Sequence, residues 1–113
     1  MKTSLLSTLL AVAAANVDGF TFNLETQSLQ GTGFAVARKE TQNSFNADGL
    51  ARCIEFAEAN NVQCIGGWYD SESGLYYFDA TEIFNDEESA REAAKENEQI
   101  AFFDLDTLTE IRL

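Results

Sequence analysis

The hydrophobic period of this sequence switches repeatedly between Phe34 and Leu105, and the order of those switches constrains the fold more than any other feature. Phe34 to Lys39 alternates, with Phe34, Val36 and Arg38 on one side and Ala35, Ala37 and Lys39 on the other, as a strand does. From about Asn46 to Asn60 the period is helical: Leu50, Cys53, Ile54 and Ala57 share a face, and Asn60-Asn61 is a stop. Val62, Cys64 and Trp68 alternate along a second strand. Asp70-Ser71-Glu72-Ser73-Gly74 is a turn, and Leu75 to Phe84, rich in aromatic and β-branched residues, is the return strand. Asn85, followed three residues on by Glu88, reads as the cap of a helix running to about Asn97 with Ala90, Ala93 and Ala94 inward. Ile100 to Leu105 is a further strand, and Glu110 to Leu113 a short last one.

This order, β-α-β-β-α-β, is that of the ferredoxin-like split βαβ motif, an α+β arrangement with an antiparallel sheet and two helices on one face. Phe20, Phe22 and Leu24 alternate and predict a short N-terminal strand added at an edge, set off by the Gln30-Gly31-Thr32-Gly33 turn. A chain of 113 residues fits one domain, large enough for a core but not for a core plus a large enclosed active site. Gly66-Gly67 falls mid-strand, without the following helix or lysine of a phosphate loop. A bulge or a close backbone passage is expected there.

Residues 1–15 stand apart. A positive start is followed by an uncharged stretch from Leu5 to Ala15 that ends Ala13-x-Ala15, the pattern of a secretory signal peptide. The stretch is too short to span a membrane. The division expected is therefore a leader over 1–15 and an acidic α+β domain over 16–113. The other reading is an N-terminal helix that docks Leu5, Leu6, Leu9 and Leu10 on the domain. A cleaved leader implies a secreted or periplasmic protein, an uncleaved one a cytoplasmic protein. Cys53 and Cys64 are the only cysteines. Both are expected to face the core, where an oxidising compartment would let them pair as a disulfide.

Charge narrows the function classes. Nineteen acidic residues against seven basic give a net charge of −12, a surface that repels phosphate backbones and anionic lipids. Direct nucleic-acid binding and stable membrane insertion are not expected. A protein partner is, a basic one being one reading of the acidity beside a cation or simply a solvated, soluble surface, and an open sheet with outward aromatic residues is also compatible with a homodimer. The chain contains no histidine, which removes His-dependent acid–base chemistry and His metal ligands.

Candidate site residues are few. Trp68, Tyr69, Tyr76 and Tyr77 flank one hairpin and cannot all face the core, so they are candidates for partner contact. Lys39, Glu40, Thr41, Gln42 and Asn43 link a strand to a helix, where a small ligand can be held. Glu87, Glu88, Glu92 and Glu96, interleaved with Arg91 and Lys95, have the spacing of a solvated helix face. Ile100 to Leu108 looks like the haloacid dehalogenase signature, in which an apolar strand ends in Asp-x-Asp-Gly-Thr and the two acids hold Mg²⁺. Here the glycine between Asp106 and Thr107 is missing, and the motif stands near the end of the sequence instead of opening a long α/β domain. Asp104 and Asp106 remain weak metal candidates, since two carboxylates do not make a cage. No cofactor and no catalytic residue are expected.

At Gly33 to Phe45, Gly66 to Asp70 and Glu98 to Asp104 the chain resembles a group of small uncharacterised acidic proteins from gut-bacterial phages and mobile elements. The likeness covers Gly19 to Leu113 and not the leader. It supplies no catalytic residues. It implies an accessory protein that acts by binding a host factor, for instance by blocking a basic host surface. The expected function is thus non-enzymatic binding. The alternatives are a secreted, disulfide-stapled interaction protein and, less favoured by the residues, a small carboxylate- or metal-dependent enzyme.

Overall fold

The computed structural model describes residues 2–113, with side chains described from Leu5 onward. Helix α1 spans Lys2–Ala15, followed by strands β1 (Phe20–Asn23), β2 (Ser28–Leu29) and β3 (Phe34–Ala37). A 3-10 turn at Lys39–Thr41 and strand β4 (Ser44–Phe45) lead into helix α2 (Asn46–Asn60). Strands β5 (Cys64–Asp70) and β6 (Leu75–Phe84), helix α3 (Glu87–Glu96), and strands β7 (Ala101–Asp104) and β8 (Thr109–Arg112) complete the chain. The fold is α+β. Eight strands form one antiparallel sheet in the order β2-β1-β5-β6-β3-β7-β8, with β4 paired to β6 as well. None of the described helices is long and apolar enough to cross a membrane.

Local chemistry accounts for the element ends. Helix α2 stops where Asn61 adopts the left-handed conformation (φ 56°), which asparagine tolerates, with its N–H donating to the Ala57 carbonyl. Helix α3 is capped by Asp86, not Asn85 as the sequence suggested. The Asp86 carboxylate accepts the Ser89 N–H at 2.8 Å, and Glu87 and Glu88 follow at the positive end of the helix dipole. The β5–β6 turn closes on Gly74 (φ 73°), whose N–H donates to the Asp70 carbonyl at 2.8 Å.

The β5–β6 ladder runs without interruption from Cys64↔Thr81 to Asp70↔Leu75, so Gly66-Gly67 marks no bulge. Each glycine instead makes room for side chains on one face. A Cβ on Gly67 would collide with the Phe20 and Tyr76 rings, and one on Gly66 would meet Thr81 and Asp79.

Strand register sorts every side chain to one of two faces. Val36 pairs with Glu82, Ile65 with Ala80 and with Phe22, and Phe102 with Ile111. All of these lie on the face that the helices cover. One core cluster there joins Phe22, Ile65, Phe78 and Ala80 to Leu50, Cys53, Ile54 and Ala57 of α2. A second joins Val36 and Phe102 to Ala90, Ala93 and Ala94, whose small side chains let α3 approach the sheet closely, as expected.

Helix α1 covers the same face. Leu9 is fully buried and Ala13 nearly so, with Leu5, Leu6 and Val12 packed around them against α2 and β1; Leu10 is exposed. The end of the helix is tied down: Asn16 donates its side-chain N–H to the Val12 carbonyl at 2.8 Å, and the Tyr76 hydroxyl donates to the Asn16 carbonyl at 2.6 Å. The segment expected as a leader is thus a packed helix in this fold.

Cys53 and Cys64, which an oxidising compartment would let pair, are free, buried thiols in this fold. Cys53 belongs to the core cluster of Ile65 and Ala80. Cys64 precedes Ile65 in an extended strand and projects to the opposite side of the sheet, so the sheet lies between the two sulfurs.

Candidate functional site

The face of the sheet that no helix covers is laid out in rows across the strands. Trp68 of β5, Tyr77 of β6 and Phe45 of β4 form one row. Trp68 and Tyr77 stack with ring centroids 5.1 Å apart at 15°, and Phe45 meets Tyr77 edge-on at 5.8 Å. The next row is Thr21, Gly66 and Asp79. The third is Cys64, Thr81 and Ala37, and the fourth is Ile83, Ala35, Phe103 and Glu110.

Side-chain size shapes this face. Gly66, Ala35, Ala37 and Ala101 make a low floor, while Trp68, Ile100, Phe103 and Leu108 stand around it. The result is an open groove of about 720 Å³. Its rim is unusually apolar for a surface: Trp68 is 47% exposed, Ile100 71% and Leu108 73%.

Asp79 sits in the floor. It is half-buried, and the hydrogen bond it makes is with the Thr81 hydroxyl, which donates to Oδ1. Desolvation pushes its carboxyl up from the ordinary 3.8 to about 6, against the opposing effect of the Thr81 hydrogen bond. None of the ion pairs among the described residues reaches it. Arg38 pairs with Glu40 and Glu82 at 3.2 Å, Lys39 with Glu98 at 3.5 Å, Arg91 with Glu87 at 2.9 Å, and Arg112 with Glu110 at 3.8 Å. Three carboxylates line the groove, Asp18, Asp79 and Glu110, and no lysine or arginine does.

The residues singled out from the sequence are distributed unevenly about this groove. Trp68 lines it, and Tyr77 stacks on Trp68 beside it on the same face. Tyr76 lies on the helix face, packed with Phe20 and Phe78 and bonded to Asn16, and works as core support. Tyr69 pairs with Tyr76 on that same face and is exposed near the hairpin tip.

The Lys39–Asn43 segment is internally occupied. The Lys39 N–H donates to Asn97 at 3.1 Å, and the buried Thr41 hydroxyl accepts the Ala80 N–H at 3.0 Å while donating to the Arg38 carbonyl at 3.2 Å. The Thr41 carbonyl accepts from Ser44, and the Gln42 carbonyl accepts from Arg52. Glu40 is held by Arg38, and Asn43 takes a left-handed backbone conformation (φ 61°) that reverses the chain before β4. These bonds join β3 to α2; they leave few groups of the loop directed at a ligand.

Asp104 and Asp106 are spent on a turn. Asp104 Oδ1 accepts the Asp106 and Thr107 N–H groups at 3.0 and 3.4 Å, and Asp106 Oδ2 accepts the Gly33 N–H at 3.2 Å. No group of three or more metal-ligating side chains occurs among the described residues. The thiols are poor nucleophiles as placed, since burial pushes Cys53 up to about 11 and Cys64 to about 12.

Sequence reading passed over Asp79, Gly66 and Thr81 as a group. The available signal was a lone acid in the middle of an aromatic strand, at the position where the facing strand carries Gly-Gly. Comparison with family models, with curated proteins and with solved structures finds no match for the chain.

Proposed function

We propose that this protein is a non-enzymatic binding module that seats a basic segment of a partner protein on the bare face of its sheet. The observation that carries this reading is a half-buried carboxylate, Asp79, with no cationic partner among the described residues, in the floor of an apolar-rimmed groove lined by acids. Burying such a group works against folding, so its presence where a cation can reach it is explained by binding. The exposed Trp68, Ile100 and Leu108 supply apolar area for a partner to cover. A second copy of the chain is a worse occupant, because it would oppose these carboxylates with an identical set in a chain of net charge −12.

In this reading the β3-α2-β5-β6-α3-β7 unit is a ferredoxin-like core. Its strand order β5-β6-β3-β7 and antiparallel pairing agree with that arrangement. The resemblance to accessory proteins of phages and mobile elements supports a host factor as the partner, met in the cytoplasm if α1 stays attached. The test uses Trp68, the single tryptophan, as reporter. Basic peptides alternating lysine with leucine, matched acidic peptides and neutral ones are titrated against the full chain. Saturable change in Trp68 emission with the basic set alone is expected. Equal response to all three sets, or none, contradicts the reading.

A further inference from the structure

The groove carries a more specific feature than general acidity. Asp79 leans into the space above Gly66: a Cβ on that glycine would stand 2.9 Å from Asp79 Oδ1 and 2.8 Å from the Thr81 hydroxyl. Glycine at this position therefore makes room for the carboxylate within the row that Gly66 shares with Thr21. Tyr77 lies two residues along the same strand and projects to the same face, about 7 Å from Asp79. Trp68 stacks on Tyr77, so a flat aromatic wall begins one stem-length from the carboxylate.

We propose that the Thr21–Gly66–Asp79 row is a socket for one lysine or arginine side chain of the partner, with its cationic head on Asp79 and its stem along the Trp68–Tyr77 stack. The inference rests on the binding reading above and names the contact that would give it specificity. The head group meets a carboxylate that no ion pair among the described residues reaches, in a setting drier than the surface acids, where a charge-assisted bond is stronger. The stem covers aromatic area that is otherwise exposed, and an arginine adds stacking on the ring faces. The other acids of the groove, Asp18 and Glu110, line it outside this row, and Glu110 is already shared with Arg112.

The experiment selects binders from a random peptide library on beads against the full chain, then compares them on Asp79→Asn and Trp68→Ala. Asp79→Asn keeps the shape of the side chain and an acceptor for Thr81, so the variant remains folded. Selected peptides are expected to share a lysine or arginine at one fixed position. Replacing that residue by norleucine should weaken binding to the parent protein by about tenfold or more, the size of one charge-assisted contact. On Asp79→Asn the same replacement should change affinity little.

An equal loss on both proteins overturns the socket, because the cation is then read by the diffuse negative surface. Peptides that bind the face without a fixed cation, and that ignore Asp79→Asn, also overturn it while leaving the binding reading intact. Peptides that bind Trp68→Ala as well as the parent place the site elsewhere and overturn both.

Discussion

Asp79 and Gly66 face each other across the β5–β6 ladder, and the carboxylate of one occupies the space that any side chain on the other would fill. The pair fixes both the depth of the groove and the accessibility of its desolvated acid, which no ion pair among the described residues reaches.

A stability effect with a definite pH dependence follows. The Asp79 carboxyl titrates near 6 in the folded chain against 3.8 ordinarily, so between those values the folded state holds more protons than the unfolded one. Stability therefore falls as pH rises from about 4 to about 6, and the penalty is complete above that. Asp79→Asn is expected to stabilise the chain by about 1–3 kcal/mol at pH 8, with the gain vanishing at pH 4. Urea unfolding at the two pH values measures it, and a loss of stability at pH 8 would show that the carboxylate is structural.

Gly66→Ala should act through Asp79. The added methyl meets the Asp79 and Thr81 side-chain oxygens, which can shift but lose their mutual geometry. A destabilisation of about 1–2 kcal/mol is expected, shrinking in an Asp79→Ala background. A double-mutant cycle by chemical denaturation reads the coupling; additive effects would mean that the two residues do not share the space.

The two faces of the sheet should respond unequally to truncation. Trp68→Ala removes an exposed stacking partner and is expected to cost no more than about 1.5 kcal/mol. Phe78→Ala removes a ring from the closed core and should cost about 3–5 kcal/mol. Comparable losses would mean that Trp68 is covered in the folded protein.

Helix α1 offers a direct check on the leader. Leu9 is fully buried against α2 and β1, so Leu9→Ala should cost about 2–5 kcal/mol in the full chain. Thermal melts of parent and variant decide it. An unchanged midpoint, together with a purified chain that begins after Ala15, is the outcome of a cleaved signal.

The thiols should be inert. With Cys53 near 11 and Cys64 near 12, the thiolate is scarce at pH 8, and both sulfurs are buried. Iodoacetamide followed by mass spectrometry should label neither in the folded protein and both in urea. A mass showing the two sulfurs joined would contradict their placement on opposite faces.

The regular elements were legible because each is long enough to show its period: α2, α3, β3, β5, β6 and β7 fall where the patterns put them. Strands β2 and β4 were not, since two residues carry no period and are strands only by their pairing with β1 and β6. Cys64 is buried, as its phase with Val62 suggested, but on the sheet face opposite the cluster that holds Cys53. That phase breaks at the helix end, where the Val62 N–H bonds to the Ala57 carbonyl and Val62 packs with α2 instead of continuing the strand. Alternation distinguishes the two faces of a sheet but does not say which face the helices take. The groove, and with it Asp79, therefore became visible only once the register was known.

The central claim is that a basic segment binds the bare sheet face, and amide chemical-shift mapping tests it most directly. During titration of the labelled chain with an alternating lysine–leucine peptide, shifts should concentrate at Ala35, Ala37, Gly66, Trp68, Thr81 and Ala101. Shifts centred on the acidic surface of α3, or spread evenly over the carboxylates of the molecule, would contradict it.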